Sequence, residues 1–179
     1  VGVEGDRVDF AVRLIAALNL IQLKPGKRVE VADAGLAEFM KHPLPARAAQ
    51  LFTAAANLQT WTEFDLVGRR HRAPTLRRSG NTGQTYTHLL ASLASARVIL
   101  LLQLRRAPAG RWIDFDALVT RARALFHNRS VWPMAGAWYP DLNGRRPNLI
   151  TPADWQATYG PFAEAVLAGP LAWQGAVEV

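Results

Sequence analysis

The sequence predicts an α+β fold, mostly helical, on three observations. Apolar side chains recur at helical spacing through several long segments, from 8 to 20, 45 to 58, 86 to 106, 115 to 125 and 152 onward. Strand-forming runs are few and short, and the clearest two flank Lys24-Pro25-Gly26-Lys27, residues suited to a tight turn. Half of the 179 residues are hydrophobic, enough for one substantial core or two small ones.

The first predicted helix carries Val8, Val12, Ile15, Ala16 and Leu20 near the i, i+4, i+7 rhythm of an amphipathic face. LIQLKPGKRVEV follows as a β-hairpin with a basic tip at Lys24, Lys27 and Arg28. Asp33 stands where a helix N-cap belongs, ahead of Leu36, Phe39 and Met40, and that short helix ends before Pro43. An alanine-rich helix then places Ala48, Leu51, Phe52 and Ala55 on one side.

Between Trp61 and Gln84 periodicity vanishes, and GRRHRAPTLRRSGNTGQ is polar, basic and broken by Pro74, Gly80 and Gly83. It reads as a linker or surface loop. The helix after it repeats Leu89, Leu93, Leu100 and Leu104, and Val98 to Leu102 is apolar on every side, which predicts burial or an interface. RWIDFDALVTRARALF predicts a very short strand at Trp112-Ile113 and a helix capped by Asp114 that buries Phe115, Leu118, Val119 and Leu125. Residues 127 to 150 are punctuated by Pro133, Pro140, Asn143-Gly144 and Pro147. Thr151-Pro152-Ala153-Asp154 opens a helix with Trp155, Tyr159, Phe162, Val166 and Leu167, where Pro161 is expected to kink or split it. LAWQGAVEV closes as a strand.

These elements resemble winged-helix units in tandem. Residues 8 to 40 look like the second half of such a unit with the hairpin as its wing, and the segment from Tyr86 to Val179 looks like the same unit stopped before its wing closes. VLAGPLAWQGAVEV, GRWIDFDALVTRARALF and VEVADAGLAEFM resemble phrases from the winged-helix regions associated with bacterial XPB-type DNA helicases. The resemblance covers about two thirds of the chain in short, apolar motifs. It implies residues 1–66 as a winged-helix-like half, 67–85 as a basic linker and 86–179 as a second unit. One departure stands out: a DNA-reading helix-turn-helix joins its helices by about 3 to 4 residues, whereas the whole of 127 to 151 lies between them here.

Net charge is +7, nearly all of it arginine, which raises the expectation of a polyanionic partner. Arg69, Arg70, Arg72, Arg77 and Arg78 fall within ten residues that contain no acid. Two readings fit them: phosphate contacts, or a solvated loop held extended by self-repulsion. With Lys24, Lys27 and Arg28 they make the expected nucleic-acid contacts, DNA foremost. The competing expectation is a protein partner or homodimer that uses the apolar 98–104 segment and nearby tryptophans. Trp112, Trp155 and Trp173 are expected in the core; Trp61, Trp132 and Trp138 lie in irregular stretches.

Catalysis is not expected. His42, His71, His88 and His127 are scattered, and Asp114 and Asp116 serve a helix start. GNTGQT lacks the Lys-Ser/Thr pair of a phosphate loop, and the absence of cysteine excludes thiolate chemistry and disulfides. No cofactor or metal is expected. The longest greasy run, Val98 to Leu104, is flanked by arginines, so no membrane span is expected either. The absence of cysteine fits a reducing cytoplasm, and the opening residues, which lack signal-peptide character and a methionine, suggest a piece of a larger protein.

Overall fold

The computed structural model describes residues 3–64, 76–80, 86–126 and 138–179, arranged as an α+β, mostly helical chain. Two units result, residues 1 to 61 and 62 to 179.

The first unit runs α1 (Val3–Ala17), β1 (Ile21–Lys24), a 3-10 turn (Pro25–Lys27), β2 (Arg28–Val31), α2 (Asp33–Lys41) and α3 (Leu44–Ala56). Its hairpin is antiparallel, pairing Ile21 with Val31, Gln22 with Glu30, Leu23 with Val29 and Lys24 with Arg28. Gly26 turns the tip with φ of 75°, which costs a glycine little. The α1 stripe differs from the sequence expectation: Asp6, Phe10 and Leu14 are buried at i, i+4, i+8, while Val8 is exposed. Phe10 sets the rotation, because its ring meets buried Trp61 edge-on at 5.2 Å. The Arg13 guanidinium donates to the Thr60 carbonyl and further fastens α1 to that segment.

Ala32, rather than Asp33, holds the N-cap position of α2; Asp33 sits in the first turn, where its charge still opposes the helix dipole. The α2 helix docks closely. A β-carbon on Gly35 would lie 2.2 Å from the Asn19 carbonyl oxygen, in a turn where Asn19 itself has φ of 56°. Only a glycine lets the two backbones approach so far.

The second unit runs β3 (Leu76–Arg78), α4 (Tyr86–Leu104), α5 (Phe115–Phe126), β4 (Trp138–Pro140) and α6 (Pro152–Val166), with a π-helical turn at Leu167–Leu171. On α4 the residues Leu89, Leu93, Ala96, Leu100 and Gln103 face inward at helical spacing. By length and composition alone this helix suffices to cross a membrane, although the sequence shows no unbroken apolar run of that length; part of it is buried inside the unit and it carries a buried ion pair. The aromatic core is built on α6: Trp155 stacks on Tyr159 at 4.7 Å, Phe126 lies 5.4 and 5.3 Å from the two, Phe162 lies 5.8 Å from Tyr159, and Phe64 stacks on Phe162 at 6.1 Å. The Trp155 indole donates to the Val119 carbonyl at 2.8 Å, which ties α6 to α5. Burial raises the Tyr159 phenol well above its ordinary pKa.

Several expectations are corrected. Asp114 does cap α5, accepting from the Ala117 amide at 2.7 Å. No strand forms at Trp112-Ile113, which joins neither of the two described sheets, and Trp112 is 81% exposed rather than core. The buried face of α5 is Leu118, Val119, Ala122 and Phe126, with Leu125 exposed. The α6 helix runs unbroken through Pro161, held on either side by fully buried Tyr159 and Phe162. The deviation comes later. At Gly169-Pro170 the missing proline amide coincides with a widened π turn, and the chain continues as helix and turn to 175, with 177–179 irregular, rather than as a strand.

Candidate nucleic-acid interface

Two basic surfaces follow from local structure, one in each unit. In the first, the Pro25–Lys27 turn presents Lys24 and Arg28 directly opposite each other. Like charges so placed repel, and the Lys24 ammonium leans instead toward the Glu30 carboxylate at 3.4 Å. Arg28 is exposed, and the Lys27 side chain lies outside the described residues.

In the second unit, the stretch read as linker contains a strand. Leu76, Arg77 and Arg78 pair antiparallel with Pro140, Tyr139 and Trp138. The pleat divides the two arginines: Arg77 shares a face with Tyr139, and Arg78 with Trp138 and buried Pro140. Arg77 is already matched, its Nε 3.0 Å from the Asp141 carboxylate, while its own side chain stays more than half exposed. The Arg146 guanidinium lies 5.5 Å from the centre of the Tyr139 ring, and Tyr86 meets Trp138 edge-on at 5.7 Å. Arginines and aromatics thus alternate across one small ribbon. Arg69, Arg70 and Arg72 lie outside the described residues, as do His71, His127 and Trp132.

A tight turn carries the chain onward. Leu142 bridges Arg145 across Asn143-Gly144, whose φ values of 53° and 88° are both positive, as a two-residue hairpin turn requires. It delivers Arg145 to Asp154, where both terminal nitrogens donate at 2.6 Å, and the Asn148 amide donates to the same carboxylate at 2.6 Å. These bonds, the arginine's first, hold the Asp154 carboxyl down at about 2 and raise the Arg145 guanidinium. Asp154 therefore does more than complement a helix dipole. It anchors the loop that carries Arg146. The Asn-Gly dipeptide was the legible signal for this arrangement; the Arg145–Asp154 pairing had none at helical spacing.

Sequence periodicity also missed a buried ion pair. Glu63 and Arg97 form a bidentate contact, Nη2 to Oε2 at 2.9 Å, with side chains 0% and 4% exposed. Among the described residues no three His, Asp or Glu side chains gather as metal ligands. No family model matches this chain, and neither a curated protein nor a solved structure matches it.

Proposed function

We propose that this chain is a non-catalytic nucleic-acid-binding module, built of tandem winged-helix-like units with short hairpin wings, within a larger cytoplasmic bacterial protein. Binding is to DNA and mainly to phosphates, with weak dependence on sequence. The observation that carries the reading is the β3–β4 ribbon, in which Arg77 and Arg78 face Tyr139 and Trp138 while Arg146 covers Tyr139. Guanidinium groups supply phosphate contacts, and an aromatic beside them offers a face for an unpaired base. The first unit adds its own basic hairpin tip at Lys24, Lys27 and Arg28, and the sequence adds the arginines at 69, 70 and 72.

The pairing of Arg77 with Asp141 refines the expected salt dependence. If all five arginines release counterions, the slope of log K against log salt is about −0.9 × 5, or −4.5, and the Arg77–Asp141 pair makes it shallower. Fluorescence anisotropy with labelled single- and double-stranded DNA at several salt concentrations measures this. The variant with alanine at Arg69, Arg70, Arg72, Arg77 and Arg78 is expected to lose most of the binding, and no binding of the native chain at low salt refutes the reading.

A second reading is a protein-interaction or dimerisation module on the same scaffold. It is favoured by apolar surface: Leu102 is exposed, Val98, Ile99 and Leu101 on the same helix are only half-buried, and Trp112 stands in solvent.

A further inference from the structure

The hairpin of the first unit leaves an apolar face uncovered. Leu23, Val29 and Val31 are 56%, 52% and 58% exposed, and with Ile21 they occupy alternate positions, so all four share one face of the ribbon. A two-stranded ribbon of this kind is marginally stable alone. No third strand pairs with it among the described residues, and β2 carries neither a proline nor a bulge to block its outer edge.

The phase of the ladder fixes what that edge can accept. The Ala32 amide donates to the Leu20 carbonyl at 3.0 Å, so the Gln22/Glu30 and Lys24/Arg28 pairs bond inward in the alternating antiparallel pattern. Val29 and Val31 therefore turn their amides and carbonyls outward. We infer that β2 is the contact between two copies of this chain, joined antiparallel about a two-fold axis at Val29, so that the sheet becomes β1-β2-β2-β1.

Charge selects this occupant and this register. With the axis at Val29, Arg28 stands directly opposite Glu30 of the second copy, and Glu30 opposite its Arg28. That answers a local imbalance, since Arg28 lies across from Lys24 within its own hairpin and makes no ion pair among the described residues. Centring on Glu30 instead would still let Val29 bond Val31 of the second copy, but would set two carboxylates directly opposite each other. Pairing β1 edges about Leu23 would set Gln22 against Lys24, with no charge match. The two-fold arrangement closes on itself, so it stops at two copies.

The inference gives the second reading above a specific partner and surface, and rests on it to that extent. Its test is the mass of the full chain by sedimentation and by light scattering after size exclusion, across concentrations up to about 1 mM. The native chain is expected to dimerise. Arg28→Glu and Glu30→Arg each place like charges opposite one another twice, and each is expected to raise the dimer Kd by roughly tenfold or more. An equimolar mixture of those two variants restores both attractions, and is expected to recover the dimer mass that neither shows alone. Val29→Pro, which removes an outward amide and spares the bonds to β1, is expected to weaken the dimer as well. A native chain monomeric throughout overturns the inference and removes dimerisation from the second reading. A dimer unmoved by either charge variant overturns the inference alone and leaves α4 as the contact. A mixture that stays monomeric also overturns it, with circular dichroism showing that each variant retains its helices.

Discussion

Replacing Arg97 with methionine isolates the energetics of the buried ion pair. Methionine retains most of the aliphatic stem, so little packing is lost, but the Glu63 carboxylate remains in a site with 0% exposure and without the bidentate donor it had. Removing one partner of a buried pair costs about 3–5 kcal/mol, because the remaining charge keeps its desolvation penalty. Against a typical unfolding free energy of about 5–15 kcal/mol, that is a large share of what holds the second unit folded. The double variant Glu63→Leu/Arg97→Met removes both charges and should recover most of the loss, leaving a coupling of about 2–4 kcal/mol between the sites. Urea unfolding followed by circular dichroism measures the cost. Hydrogen exchange at α4 and α6 amides assigns it to this unit. A cost below about 1 kcal/mol for Arg97→Met, or a double variant as unstable as the single one, would show that water reaches the pair and would refute the reasoning.

Two further outcomes follow from named contacts. Asp154 titrates at about 2 when folded, below the carboxylate's ordinary value, so its contribution to stability is present above about pH 4 and is lost as pH falls through about 2. Arg145→Ala removes the largest cause, so acid unfolding of the second unit should begin at higher pH; circular dichroism between pH 5 and pH 2 reads this, and an unchanged acid midpoint contradicts the assignment. Gly35→Ala should destabilise the first unit by about 1–3 kcal/mol despite alanine's better helix propensity, since the new methyl would meet the Asn19 carbonyl. A neutral or stabilising result in urea would mean that α2 does not sit against that turn.

Helix existence was legible wherever apolar spacing ran long. The segments from 86, 115 and 152 appear as α4, α5 and α6, with Trp155, Tyr159 and Phe162 inward as their pattern indicates. The hairpin was legible because Pro25-Gly26 separates two β-rich runs. Which side of a helix faces inward was less so. On α1, hydrophobicity alone ranks Val8 with Phe10, and contact with Trp61 separates them.

The candidate site divides in the same way. Clustering of arginines is a property of the sequence, and so is the polyanion-binding expectation that goes with it. What tertiary structure decided is the company they keep: β4 arrives from sixty residues downstream to pair Arg77 and Arg78 with Tyr139 and Trp138, and Asp141 neutralises one of them. Glu63 and Arg97 are separated by 34 residues, and Arg145 and Asp154 by nine. Periodicity reports neighbours along one element. Pairing across elements depends on where loops return the chain, and a charge's environment exists only after that return is complete.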